Sequence, residues 1–95
     1  MHLTWTDLAN NDLDEIEDYL ITEANPVIAI DVVISIIEKV ESLLVDHPRA
    51  GRTGRVKATR ELVINSLPYV VIYRLKESIG EIQILRVLHD AQVWP

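Results

Sequence analysis

Between Pro26 and Pro48 the chain runs for twenty-one residues with neither Gly nor Pro, and β-branched residues fill ten of the nineteen positions 27–45. Side-chain preference alone assigns such a run to a strand. Length argues the other way, because strands usually end within roughly ten residues. Inside the run Asp31, Ser35, Glu38 and Ser42 recur at spacings of four, three and four, the period of a helix with one polar face. Asn25-Pro26 in front supplies an N-cap and a proline suited to the first helical position. A helix is therefore expected from here to about His47, held by packing more than by propensity. As an isolated peptide in buffer, residues 25–47 should be poorly helical, and strongly helical circular dichroism would contradict that.

The flanking segments are read in the same way. Leu3 to Trp5 fits a short opening strand, followed by Thr6 as N-cap and Asp7 in a first turn where an acid suits the helix dipole. Ala9, Leu13, Ile16 and Leu20, with Tyr19 alongside, form one apolar stripe among Asp14, Glu15, Glu17 and Asp18, so a first helix should pack on a core. Residues 48–59 contain Pro48, Gly51 and Gly54 and read as a loop. Residues 61–65, 69–75 and 81–88 are rich in Val, Ile, Leu and Tyr, with turn signals at Ser66-Leu67-Pro68 and at residues 77–80. Short links imply an antiparallel meander. Apolar residues on both parities of the last two strands imply a sheet covered on much of both faces. The expected class is α+β, two N-terminal helices packed on an antiparallel sheet in the order β-α-α-β-β-β.

Ninety-five residues admit a single domain, 1–95, and hydrophobic residues at 48% exclude intrinsic disorder. With no Cys and only His2, His47 and His89, neither a disulfide framework nor a zinc-ligand spacing exists, so no metal or cofactor is expected. The N-terminus lacks the basic and apolar regions of a signal peptide, and the longest apolar stretch is too short and too interrupted for a membrane span. A cytoplasmic protein without membrane contact is expected.

Net charge of -6 conceals two halves of opposite sign. Residues 1–48 hold eleven acids and one base, Lys39, whereas residues 49–95 hold four acids and eight bases. Five of those bases, Arg49, Arg52, Arg55, Lys57 and Arg60, fall within twelve residues, where arginine forks suit phosphate or carboxylate and Gly51 and Gly54 permit close backbone approach. This run is the candidate binding surface for a partner or target, or else a solvated loop that answers the acidic first helix. If all five cations met single-stranded RNA, log K would fall against log salt with a slope of roughly -3.5. Gly51-Arg52-Thr53-Gly54 matches a GxxG nucleotide clamp by letter, but that clamp joins two helices and this loop feeds a strand.

Arg86, His89 and Tyr69 form a second candidate site, in which His89 would do general acid-base work and Arg86 would steady an anionic phosphorane in a metal-free ribonuclease. Meander geometry brings the end of the last strand near Asn65, Ser66 and Tyr69 and leaves Glu61 roughly 20 Å away, against a Glu61/His89 pair. Arg86 and His89, three apart, converge only if the strand ends or bulges near Leu88. Trp5, Trp94 and Tyr73 are read as core or edge-of-core residues.

The order of elements and the letters together resemble the RelE/ParE family of bacterial toxins, the toxin half of type II toxin-antitoxin modules, over nearly the whole chain. The carriers are Trp5, the Asp12-Leu13-Asp14-Glu15-Ile16 helix with Tyr19, Asn25-Pro26, His47-Pro48 with Gly51-Arg52, and Thr59-Arg60-Glu61-Leu62. The most specific are Pro68-Tyr69-Val70-Val71-Ile72-Tyr73-Arg74 and Ile84-Leu85-Arg86-Val87-Leu88-His89, closing on Ala91-Gln92-Val93-Trp94-Pro95, similar to the strands of plasmid-stabilisation toxins. The resemblance implies a growth inhibitor neutralised by a cognate antitoxin. RelE-like members cleave mRNA at the ribosome, and on that alternative Arg60, Lys57, Arg86 and His89 stand near the functional positions. ParE-like members inhibit DNA gyrase by binding. The net negative charge and the lack of a basic C-terminal tail favour the ParE branch, since ribosome binders are steered by positive fields.

Overall fold

A computed structural model describes residues 1–92 and 94. Val93 and Pro95, part of the C-terminal segment that carries the resemblance, lie outside the described residues. The elements are β1 (His2–Trp5), α1 (Asp7–Glu23), α2 (Pro26–Leu44), β2 (Arg52–Thr53), β3 (Arg60–Val63), β4 (Tyr69–Lys76) and β5 (Glu81–His89). Both expected caps are in place. Thr6 Oγ1 accepts from Ala9 N–H at 3.3 Å, and Asn25 Oδ1 accepts from Ile28 N–H at 3.0 Å with Pro26 opening the helix. The β-branched run is helical to Leu44, three residues short of the expected end, because Ala29, Ile36, Val40 and Leu44 form a fully buried face.

The five strands lie in the order β1-β5-β4-β3-β2. The meander β3-β4-β5 is antiparallel as expected, but β1 pairs parallel to β5, so the sheet is mixed. The reason is connectivity: a chain that leaves β1 through two helices and a meander can return beside it in the same direction. A second departure is β2, two residues of the basic loop that pair with Arg60 and Glu61 at the sheet edge.

One face of the sheet meets the helices. Leu62, Val71, Tyr73, Ile82, Ile84 and Val87 pack there with Ala9, Leu13, Ile16, Ile36, Val40 and Leu44. On the opposite parity Ile72 and Leu88 are also buried, in a hollow walled by the basic loop and Trp94. Both faces are thus covered in part, one by helices and the other by loop and C-terminal segment. Trp5 packs against the edge of the helix-side core and Tyr73 sits fully within it, while Trp94 belongs to the loop side.

The apolar alternation along β5 shifts phase between Ile84 and Val87, and the pairing shows why. Tyr73 opposes Ile84 while Ile72 opposes Arg86, leaving Leu85 as the extra residue of a β-bulge. The bulge lies at Leu85, before Arg86, instead of near Leu88. A 3₁₀ turn at Glu77–Ile79 joins β4 to β5 and ends at Gly80 with φ of 63°, a left-handed conformation that glycine adopts without a Cβ clash.

Candidate binding loop and sheet-end site

The basic loop is tethered from inside the fold. Tyr73 projects its hydroxyl out of the core, donating to the Pro48 carbonyl at 2.8 Å and accepting the Gly51 N–H at 2.8 Å. Gly51 is required by this contact, since a Cβ there would lie 2.7 Å from the Tyr73 ring. Burial pushes the Tyr73 phenol up from its ordinary value, against the opposing pull of the Gly51 hydrogen bond, so it remains a donor at neutral pH.

Four of the five candidate cations are held by the protein itself. Arg49 pairs with Glu77. Arg52 donates to Glu61 Oε1 from Nε at 3.3 Å and from Nη2 at 3.0 Å. Arg55 gives its backbone N–H to Glu61 Oε2 at 3.0 Å and its guanidinium to the Trp94 carbonyl at 3.4 Å. Arg60 donates to the Gly51 carbonyl at 2.9 Å and the Arg49 carbonyl at 3.4 Å. Lys57 is exposed and has no such partner among the described residues. Acids of the loop's own half, Glu61 and Glu77, answer the cations, so the loop is not the counter-charge of the first helix.

Glu61, which the sequence offered only as a rejected partner for His89, is the keystone of the loop. The Arg55 backbone N–H, followed by the Arg52 side chain, holds its carboxyl below the ordinary carboxylate value against the cost of desolvation. Glu61 and His89 both line a shallow hollow of about 90 Å³ on the helix-free face, closer than an opposite-end placement implied. The separation was overestimated because β3 is only four residues long and Glu61 lies in the row of Ile72 and Arg86. They still form no pair, since Glu61 is occupied by the loop. Trp94 also lines this hollow, and its Nε1 is buried without an acceptor among the described residues.

At the sheet end, Tyr69 and His89 do meet, being cross-strand partners whose rings stand edge to face with centroids 5.8 Å apart. His89 Nδ1 accepts from Ala91 N–H at 3.1 Å, and the His89 N–H is held by Gln92 Oε1 at 2.6 Å. Desolvation, with a smaller contribution from Tyr19, raises the Tyr69 phenol above its ordinary value, which suits a proton-bearing packing residue. Ile16, Tyr19, Tyr69 and His89 border a second cavity of about 170 Å³ between α1 and the sheet.

Arg86 is engaged elsewhere. Its Nε and Nη2 donate to Asp12 Oδ2 and Oδ1 at 2.7 and 2.9 Å, a bidentate pair. Asp12 Oδ2 also accepts the Val87 N–H at 2.9 Å. Pairing between β1 and β5 ends at Trp5 and Ile84, so beyond that point the outer edge of β5 needs another acceptor, and α1 supplies it. The hint in the sequence was an acid inside the apolar stripe, with Asp12 completing the 9, 12, 13, 16 spacing of a buried helix face.

The sequence and fold are shared with known proteins. A family model for the ParE toxin of the type II toxin-antitoxin system parDE matches residues 3–94. The chain belongs to the ParE toxin family. Within it, the chain is 41% identical over 93 residues to "Putative toxin Y4kP" of Sinorhizobium fredii (strain NBRC 101917 / NGR234), covering 98% of this chain and 92% of that protein. Among solved structures it is similar to a chain of the chromosomal ParDE TA system from P. aeruginosa, with a TM-score of 0.85 and 37% identity, covering 94% of this chain and 95% of that one. A ParE-type α+β fold over nearly the whole chain is thereby established.

Proposed function

We propose that this ParE-family chain is a cytoplasmic growth inhibitor that acts by binding DNA gyrase and is neutralised by a cognate antitoxin. The observation that carries the reading is the double engagement of Asp12 with Arg86 and the Val87 N–H. A guanidinium held bidentate through Nε and Nη2 by a buried carboxylate is a brace between α1 and β5, and with its charge already answered by Asp12 it is poorly suited to stabilising a phosphorane. The shift of the bulge to Leu85 turns Arg86 to Asp12, while His89 stacks on Tyr69 at the strand end. Among the described residues no helix is long and apolar enough to cross a membrane.

On this reading the target contacts are Lys57 and the rim arginines Arg52 and Arg55, with Arg49 and Arg60 shaping the loop. Family membership supports antitoxin neutralisation, with acidic side chains of the antitoxin meeting the loop and its apolar residues filling the cavity beside α1. High salt should weaken but not abolish such a complex, because apolar burial supplies much of the affinity.

The deciding experiment sets purified protein against DNA gyrase supercoiling and, in parallel, programmed ribosomes. Gyrase inhibition with intact mRNA supports the proposal. Ribosome-dependent mRNA cleavage with unaffected gyrase overturns it and makes His89 the leading catalytic candidate.

A further inference from the structure

The outer face of α2 carries a second apolar stripe. Ala29, Ile36, Val40 and Leu44 already bury the inner face, yet Val27, Ile28, Ile30 and Ile34 stand in solvent, Val27 at 68% exposure. At one residue per 100°, Val27, Ile30 and Ile34 fall within a sector of about 60°. They make a continuous ridge, not scattered exposure. The concentration is general to the hairpin: of the exposed large apolar residues, Leu8, Tyr19 and Ile21 are on α1 and these four are on α2.

Charge selects what can cover this ridge. Glu41 lies within its sector, Glu38 and Asp31 lie beside it, all three are exposed, and the only base in the first 48 residues is Lys39. A second copy packed about a two-fold axis would set these acids against their own equivalents, in an interface that also removes them from water. Nucleic acid and anionic lipid meet the same repulsion. A helix with aliphatic residues three and four apart, flanked by Lys or Arg, satisfies both the ridge and its acids.

We propose that the outer face of α2 is a docking surface for a basic amphipathic helix of a partner protein. The surface lies apart from the arginine loop and stands whether or not gyrase is the target.

A fourteen-residue peptide of Leu and Lys, with Leu at helical spacing, serves as the probe, beside a scrambled isomer of the same composition and a version with Glu for Lys. Titration calorimetry on the full chain, with isoleucine methyl NMR, reads affinity and place. The patterned peptide should bind, shift the Ile30 and Ile34 methyl signals, and weaken with salt. The scrambled and acidic peptides should bind at least about tenfold more weakly, as should the patterned peptide to Ile30→Gln/Ile34→Gln. Equal binding of the scrambled isomer would reduce the effect to charge and overturn the proposal. So would unperturbed Ile30 and Ile34 methyls, or a concentration-dependent dimer by sedimentation that Ile30→Gln/Ile34→Gln abolishes. If that variant does not fold by circular dichroism, peptide comparison and methyl mapping on the unmodified chain still decide.

Discussion

Replacing Asp12 with Ala should be among the most damaging single changes to this fold outside the apolar core. The Asp12 side chain is 8% exposed and that of Arg86 29%, so deletion of the carboxylate strands a guanidinium with only partial access to water. Breaking one partner from a buried pair costs roughly 3–5 kcal/mol, and the partial exposure of Arg86 places this case at the lower end. The Val87 N–H also loses its acceptor, a further cost of roughly 1 kcal/mol or more, reduced to the extent that water enters the gap. A total near 3–4 kcal/mol is expected, a large part of the roughly 5–15 kcal/mol that holds a domain together. At roughly 4–8 °C per kcal/mol for a domain of this size, Tm should fall by about 15–25 °C. Urea unfolding followed by far-ultraviolet circular dichroism should show a lower midpoint at unchanged slope. The double variant Asp12→Leu/Arg86→Met should recover most of the loss, because no charge remains buried, leaving only the unpaired Val87 N–H. A loss below about 1 kcal/mol in Asp12→Ala would refute the account of Asp12 as a brace.

Other outcomes follow from the loop. Tyr73→Phe removes both tethers, to Pro48 and Gly51, and should cost about 1–2 kcal/mol in chemical denaturation while speeding tryptic cleavage after Arg49 or Arg52. Gly51→Ala should cost about 1–3 kcal/mol through its clash with the Tyr73 ring, and unchanged stability would show that the loop can yield. Glu61 has a folded pKa below its ordinary 4.5, so it contributes stability that is full above that value and is lost as pH falls through the folded pKa. Tm of the parent should therefore exceed that of Glu61→Gln at pH 7, with the gap closing in acid; a gap constant down to pH 2 would argue against a role for the ionised carboxylate.

Local chemistry was well written in the sequence. Thr6 and Asn25 cap as side-chain chemistry requires, and the polar period at Asp31, Ser35, Glu38 and Ser42 overrode the strand preference of the β-branched residues around it. The meander was legible because its turns are local. The parallel pairing of β1 was not, since Leu3 meets Ile82 across nearly the whole chain and nothing near either residue encodes that register. The bulge at Leu85 was hidden for a similar reason: both parities of β5 are apolar, so a phase shift leaves little trace. At the candidate sites, the cations were visible but their occupancy was not. Arg49 finds Glu77 and Arg86 finds Asp12 only once the chain has folded, 28 and 74 positions away.

The last strand lies between the first strand and β4 and contributes Ile82, Ile84 and Val87 to the core. Any interrupted product of synthesis that stops short of residue 81 therefore leaves β1 without a neighbour, β4 with an open edge and Asp12 with no cation. Such a fragment keeps its acidic helices and its aliphatic surface but not the scaffold that aligns them, and it should be readily degraded by proteases. If the chain acts as the proposed growth inhibitor, this arrangement confines potency to chains translated at least through β5, and premature stops and frameshifts upstream should be silent instead of partially active.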